Sequence, residues 1–401
     1  MSDQLNAFSR APAVRPVLHV IDALDCGGAQ ELLVLLARLT PRETHPTCVA
    51  VIQPATGMLD RLKATGARVY CLGRPRPSIF KPLAFLRYVI GVIGDIRRIC
   101  RLENIAILHC HLSDAEFLGI LAGRLHGVER ILDTVHTPSL LPSRESHDPR
   151  TSLRKLFMPW VLNQADWVVA VSAETGRMLE KMGVQAKRIR VVENGIDVSA
   201  YDLPPQPALR QSLGIGPDEP VLVTTARLTE QKGHAYLIEA MPAVLERFPL
   251  ARLLLLGQGE LRGQLEERVR SLGLTGRVDF LGVRSDVPAL LALADVFVLP
   301  SLWEGTSLAL LEAMAAARPI AATDIPGNRP LLEDQRDCLL TTPARPEALA
   351  QAVIRLLQDR ELAAKLGTQA RAEAWQRFDI RTMLAAYERL WATSPRDQET
   401  S

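Results

Sequence analysis

The sequence predicts an α/β protein built from two doubly wound, Rossmann-like domains facing each other across a cleft. Three observations carry that expectation. Short apolar runs rich in leucine and β-branched residues alternate with longer helical patterns along the chain, the rhythm of parallel sheets joined through helices. Ten such runs can be read, too many for one ordinary sheet of this kind. The stretch 197–220, "DVSAYDLPPQPALRQSLGIGPDEP", holds five of the 27 prolines and no clear strand, which marks the break.

In chain order, "MSDQLNAFSRAPAVRP" lacks the apolar centre of a secretory signal, so residues 1–15 read as a loose tail. "PVLHVID" (16–22), "THPTCVAVI" (44–52), "IAILHCH" (105–111), "RILDTVH" (130–136) and "WVVAVSA" (167–173) each read as a buried strand of a first domain over 16–200. "PVLVTTAR" (220–227), "ARLLLLGQG" (251–259), "RVDFLG" (277–282), "DVFVLPS" (295–301) and "RPIAAT" (318–323) repeat the pattern in a second domain over 201–375, followed by a C-terminal segment over 376–401.

Composition narrows the function classes. With 47% hydrophobic and 23% charged residues the chain reads as soluble and globular, and no apolar run is long enough to span a bilayer. The six cysteines are scattered with no C-x-x-C pair, which predicts reduced thiols and a cytoplasmic protein. Residues 1–200 carry 25 Lys+Arg against 19 Asp+Glu, and the remainder 22 against 26. That asymmetry is too mild for a nucleic-acid footprint. It suits a first half that meets an anionic surface, and ordinary scatter explains it as well.

Ligands of open parallel sheets bind beyond the C-terminal ends of the strands, so chemistry is expected on the loops that follow them. After the first strand, Gly27 and Gly28 precede an amphipathic helix, where backbone N–H groups can approach an anion. The spacing is not that of the dinucleotide fingerprint, and a tight strand–helix turn is the plainer reading. His109 and His111 lie on one side of their strand, but no carboxylate or second cysteine cluster completes a metal site, so no metal is expected. A structural role accounts for His109 and His111, whereas His136 ends its strand just before a loop containing Pro138, where an imidazole could meet a sugar.

In the second half, Arg227 and Lys232 flank a strand-to-helix loop. They are either two exposed cations or an Arg fork and a Lys point charge placed to hold phosphates. Gly257, in "LLLGQGE", exposes backbone at the same sheet edge and is a weak signal alone. The stretch "SLWEGTSLALLEAMAAARP" then sets Glu304 in a loop, offers Thr306 or Ser307 as N-cap, and places Glu312 in the second turn of a helix beginning near Leu308. That helix is apolar nearly all round, which predicts burial, and a buried carboxylate needs donors such as ligand hydroxyls. A solvated Glu312 is the plainer alternative. Two carboxylates could also mean glycoside hydrolysis, but Arg, Lys, glycine turns and a helix N-terminus suit a departing diphosphate, which needs no general acid.

These residues, in this order, resemble the retaining nucleotide-sugar glycosyltransferases of glycosyltransferase family 4, which have the GT-B fold. The resemblance runs from "GGAQ" nearly to the C-terminus. Its most specific part is Glu304-x7-Glu312, supported by "NGID" (194–197), "ARLTEQKG" (226–233) and "FLG" with Asp286 and Val287. It implies that Arg227 and Lys232 hold the donor diphosphate, Glu304 the sugar hydroxyls and Glu312 the ribose. Amides of Thr306, Ser307 and Leu308 would meet phosphates, and backbone at Val283 and Arg284 the nucleobase. Gly27 and Gly28 would bring the first, acceptor-side domain to the donor, with His136 near the transferring sugar. It further implies metal-free catalysis with retention, no cofactor beyond the nucleotide sugar, and a C-terminal helix crossing back to the first domain. The acceptor would be a glycan or lipid-linked hydroxyl, in cell-envelope or exopolysaccharide synthesis.

Four positions depart from the family pattern: Glu193 and Pro330 replace a common Pro and Glu, Ala317 replaces a common Gly, and "DQRDCLL" lacks a glycine near Cys338. The apolar, basic segment 74–105 suits peripheral membrane contact, or a helix packed on its own sheet. Two other classes use the same features: a nucleotide-sugar epimerase or hydrolase on the same scaffold, and a non-catalytic binding protein. A dinucleotide oxidoreductase lacks its fingerprint in both halves.

Overall fold

The computed structural model describes residues 14–24, 27–54, 57–78, 80–136 and 157–395. Most of the N-terminal tail, Cys26, the Pro138 loop and residues 396–401 lie outside them. The chain forms two compact units, one of residues up to Glu193 together with those from Met383 on, the other Asn194–Thr382.

The first unit holds a seven-stranded parallel sheet of β1 (Val17–Ile21), β2 (Thr47–Val51), β3 (Arg68–Cys71), β4 (Ile107–His111), β5 (Arg130–Val135), β6 (Trp167–Ala170) and β7 (Ile189–Val191), ordered β3-β2-β1-β4-β5-β6-β7. Strands β1, β2, β4 and β6 are buried along their whole length, as expected for parallel strands covered on both faces. Alternation sorts them: Leu18, Val20, Leu108, Cys110 and Ile131 face one apolar core with Val92, Ile96 and Ile99. His19, His109 and His111 point to the other side, where Tyr387 and Trp391 of helix Ile380–Ala392 pack against His19 and His109. Trp167 Nε1 donates to the Thr393 carbonyl at 2.8 Å and Arg15 to that of Trp391, fastening this C-terminal helix in place.

The second unit repeats the plan with β8 (Val221–Thr225), β9 (Arg252–Leu256), β10 (Val278–Gly282), β11 (Val296–Leu299), β12 (Ile320–Thr323) and β13 (Leu339–Thr341), ordered β10-β9-β8-β11-β12-β13 and parallel throughout. The chain enters it ahead of the proline-rich stretch: Ile196 already pairs with 378–380 through Ile196 N to Phe378 O (2.9 Å) and Ile380 N to Ile196 O (2.8 Å). A side chain at Gly195 would lie 2.8 Å from the Ile380 Cα, so the close crossing needs glycine.

The sequence reading missed β3, β7 and β13, all short edge strands. β3 exposes both its ends and β7 carries Arg190, so neither shows the continuous apolar run of a central strand. Helix Pro82–Leu102 buries Tyr88, Val92, Ile96 and Ile99 against its own sheet, yet leaves Leu83, Leu86 and Ile90 exposed, with Phe80 just ahead of it. No described helix is long and apolar enough to cross a membrane.

Helix Leu308–Ala315 ends in a Schellman turn, with Arg318 N to Ala313 O and Ala317 N to Met314 O, both 3.0 Å. The left-handed position is Ala317, at φ 53°. A Cβ there crowds the following carbonyl. Replacing it with glycine is therefore expected to stabilise the second unit by about 0.5–1 kcal/mol, measured from urea midpoints, despite glycine's greater unfolded-state entropy.

Candidate functional site

In both sheets strand order reverses once, between β1 and β4 and between β8 and β11, and such switch points open a crevice at the strands' C-terminal ends. In the second unit the two loops there touch. Gly233, at φ 66°, follows the turn Glu230–Lys232, and a Cβ on it would lie 2.1 Å from the Pro300 carbonyl oxygen. Leu302 N donates to Gln231 O (2.8 Å) and Gln231 Nε2 to Trp303 O (2.9 Å), closing the contact. Lys232 Nζ then donates to Glu304 Oε1 at 2.5 Å, and Ser301 Oγ to the same oxygen at 2.7 Å. The Glu304 side chain is 5% exposed and that of Lys232 15%, so the pair is set into the protein rather than waving from it. Gly327 completes the seat, since a Cβ there would lie 2.4 Å from Glu304 O. Arg227 stays exposed on the same loop.

Next to Glu304 begins helix Leu308–Ala315. Ser307 has the extended backbone of an N-cap, but the side-chain cap expected of Thr306 or Ser307 does not form. Ser307 Oγ is instead buried without a hydrogen-bond partner among the described residues. The first N–H groups of a helix have no intrahelical acceptor. Amides and an orphan hydroxyl therefore adjoin the Lys232–Glu304 pair. Glu312 is half-buried one turn further, rather than fully buried as the helix's apolar character implied, and Leu308 and Thr306 are half-buried as well. Around the rim, Gly257 (φ 137°) would bring a Cβ within 2.0 Å of Ala226 O, so only glycine allows the loops after β8 and β9 to pack. Val283 is exposed. The Arg284 fork grips Asp286 at 2.8 and 2.6 Å, which raises the guanidinium pKa and lowers the carboxyl. Its side chain is thus occupied locally.

In the first unit, Gly27 is extended at the start of helix Gly28–Leu39, and a Cβ on it would meet only the movable Gln30 side chain. Backbone geometry does not demand glycine at 27. More informative are the histidines. His136 Nε2 lies 3.2 Å from His111 Nδ1, and His111 Nε2 lies 3.1 Å from His19 Nδ1. His109 Nε2 meets Thr134 Oγ1 at 2.7 Å, which in turn meets the Tyr387 hydroxyl at 3.1 Å. Burial pushes His19 down to about 3 and His136 to about 4, and drives His109 and His111 well below 6.5 with help from neighbouring rings. All four are neutral at pH 7. His19 was not singled out in the sequence; its in-register pairing with His109 across β1 and β4 has no local signal.

One ring nitrogen of each of His19, His109 and His111 lies within 4.8 Å of the others, a grouping that could hold a metal ion. Both nitrogens of His111, and one of each partner, are already hydrogen-bonded, and no carboxylate among the described residues joins them. The arrangement is complete as a hydrogen-bonded cluster except at His19 Nε2 and His109 Nδ1, which are buried without partners among the described residues.

Comparison with known proteins adds a family context. Residues 26–200 match the model described as Glycosyltransferase Family 4, and residues 219–359 that of Glycosyl transferases group 1. The chain is 28% identical over 300 residues to an Escherichia coli protein named UDP-Gal:alpha-D-GlcNAc-diphosphoundecaprenol alpha-1,3-galactosyltransferase, covering 71% of this chain and 75% of that one. It is 27% identical over 314 residues to the N-acetyl-alpha-D-glucosaminyl L-malate synthase of Bacillus anthracis, covering 78% and 81%. Among solved structures, Anabaena HepE in complex with UDP and glucose superposes with a TM-score of 0.80 at 24% identity, covering 94% of this chain and 99% of that one.

The buried neutral histidines make a pH prediction. Below pH 6.5 the unfolded chain binds protons that folded His19 and His136 refuse until about 3 and 4. Stability is therefore fully present above the unfolded value and is lost as pH falls through it toward 4. These two groups alone predict a loss of roughly 2–3 kcal/mol between pH 6 and pH 5, measured from urea midpoints.

Proposed function

The chain belongs to glycosyltransferase family 4 and has the GT-B fold, and on that premise we propose that it is a retaining, metal-independent hexosyltransferase. It moves a sugar from a UDP- or GDP-linked donor to a hydroxyl of a glycan or lipid-linked acceptor, in cell-envelope or exopolysaccharide synthesis. The observation that carries this reading is the Lys232–Glu304 pair at the β8/β11 switch point, beside the open end of helix Leu308–Ala315. A half-buried cation joined to a carboxylate is a latent anion site: when a diphosphate arrives, Lys232 can turn to it and Glu304 to the sugar hydroxyls. Exposed Arg227 supplies the second cation, and the free amides and orphan hydroxyl of Ser307 suit phosphate oxygens.

The reaction breaks the bond between the anomeric carbon and the diphosphate oxygen and forms one to the acceptor oxygen on the same face. The acceptor proton passes to a departing phosphate oxygen, so no protein base is required. Arg227, Lys232 and the helix amides carry the charge that develops on the diphosphate. Glu312 takes the ribose, backbone at Val283 and Arg284 the base, and Gly257 the close approach of backbone beneath it. Gly27, Gly28 and His136 serve the sugar and acceptor from the first unit. UDP in the HepE structures and the UDP-Gal of the E. coli relative's name support a uridine donor. The protein works at the cytoplasmic face of the membrane. Exposed Phe80, Leu83, Leu86 and Ile90, with Lys81, Arg87, Arg98 and Arg101, support peripheral contact with anionic lipid there.

A panel of UDP-, GDP- and ADP-sugars tests the donor site by thermal shift: at a hundred times Kd the right donor adds about 2.7 kcal/mol, and silence from the whole panel overturns the reading. With that donor, Arg227→Ala and Lys232→Ala are expected to lower kcat/KM by about 10²–10³, with turnover unchanged in EDTA. Sugar release or epimerisation without acceptor would instead favour the hydrolase or epimerase reading. For the membrane, co-sedimentation with anionic vesicles should fall several-fold in Leu83→Asp/Ile90→Asp, and equal binding by the variant would remove this helix as the contact.

A further inference from the structure

The first unit contains a chain of three imidazoles whose protons cannot be placed independently. His136 Nε2 meets His111 Nδ1 at 3.2 Å, and His111 Nε2 meets His19 Nδ1 at 3.1 Å. A neutral imidazole has one N–H and one bare nitrogen. His111 uses both its nitrogens on other rings, so it donates to one side and accepts from the other. Two arrangements satisfy both hydrogen bonds. In the first, His136 Nε2–H donates to His111, His111 Nε2–H donates to His19, and His19 carries its proton on Nε2. In the second, His19 Nδ1–H donates to His111, His111 Nδ1–H donates to His136 Nε2, and His136 carries its proton on Nδ1.

The far end of the chain decides between them. His19 Nε2 is fully buried with no partner among the described residues. In the first arrangement that atom bears a stranded N–H; in the second it is a bare nitrogen. Buried N–H groups without an acceptor are rarer than under-used acceptors. Every group packed around the chain is consistent with neutral rings. His109 and Thr134 flank it from β4 and β5, Tyr387 and Trp391 cover it from the C-terminal helix, and His45 lies on Trp391. No carboxylate hydrogen-bonds to any of the three rings among the described residues.

We propose that His19 and His111 are positioning residues that lock His136 as its Nδ1–H tautomer, so that the ring nitrogen not engaged with His111 is a hydrogen-bond donor and not a base. This rests on the role proposed above for His136 at the transferring sugar. There it would donate to a sugar or phosphate oxygen, in keeping with a reaction in which the acceptor's proton goes to the donor phosphate.

The test is imidazole ¹⁵N NMR on the intact, histidine-labelled protein at pH 7.5. The expected spectrum has His136 protonated at Nδ1 and bare at Nε2, with His19 protonated at Nδ1; the reverse pattern overturns the proposal. His19→Phe removes the terminal donor and should leave His136 as a mixture of tautomers. His19→Asn, whose amide nitrogen sits near the place of Nδ1, should restore the single tautomer. In turnover assays His19→Phe is expected to lower kcat at least tenfold with KM within twofold, and His19→Asn to stay within about threefold of the parent. An unchanged His136 tautomer in His19→Phe overturns the relay, and the parent and Asn spectra decide the matter if the Phe variant does not fold. Stoichiometric zinc retained through dialysis, or one equivalent of added Zn²⁺ shifting the three rings, replaces the relay with a metal site. If no donor supports turnover, the transferase reading has failed, while the NMR outcome still judges the relay.

Discussion

The contact between Gly233 and the Pro300 carbonyl governs the second unit's chemistry. Two loops that leave neighbouring strands of a parallel sheet normally diverge, because the sheet twists and the connecting helices need room. Here a left-handed glycine with no side chain lets one loop lie on the other, and the bonds from Leu302 N to the Gln231 carbonyl and from the Gln231 side-chain amide to the Trp303 carbonyl hold them together. Only then do Lys232 and Glu304, seventy-two residues apart in sequence, share a proton-donating contact at 2.5 Å. The charge pair follows from the backbone contact.

The two units solve different electrostatic problems with the same fold. The second concentrates charge at its switch point and compensates it internally, which keeps Lys232 from being an unpaired, largely buried cation. The first concentrates titratable groups at nearly the same topological place but keeps them neutral. Burial beneath Tyr387 and Trp391 removes the water that would stabilise imidazolium, and the rings satisfy one another by hydrogen bonding.

Much of this was legible in the sequence because parallel strands buried on both faces leave continuous apolar runs, and because loops after such strands carry the ligand. Lys232 and Glu304 were singled out on such loops, and the structure brings the two side chains together. What escaped was non-local. No spacing indicates that His19 and His109 stand side by side, since that depends on β1 and β4 being neighbours in register. Nor does spacing show that Ser307 would leave its own helix uncapped, although its identity makes it a natural cap. The edge strand β7 escaped because Arg190 interrupts it and stacks its guanidinium over Trp167, 4.2 Å from the ring centre. Ala317 was visible as a departure from the family's glycine, but its left-handed backbone was not.

The C-terminal helix has a consequence for biosynthesis. The sheet of the first unit is translated early, yet Tyr387 and Trp391 cover the face that bears His19 and His109. While the ribosome makes the entire second unit, that face has no lid and its polar rings stand open to water. A domain synthesised first is thus finished last. The nascent chain carries an incomplete first sheet through most of its translation, the period in which chaperone binding and misassembly compete with folding.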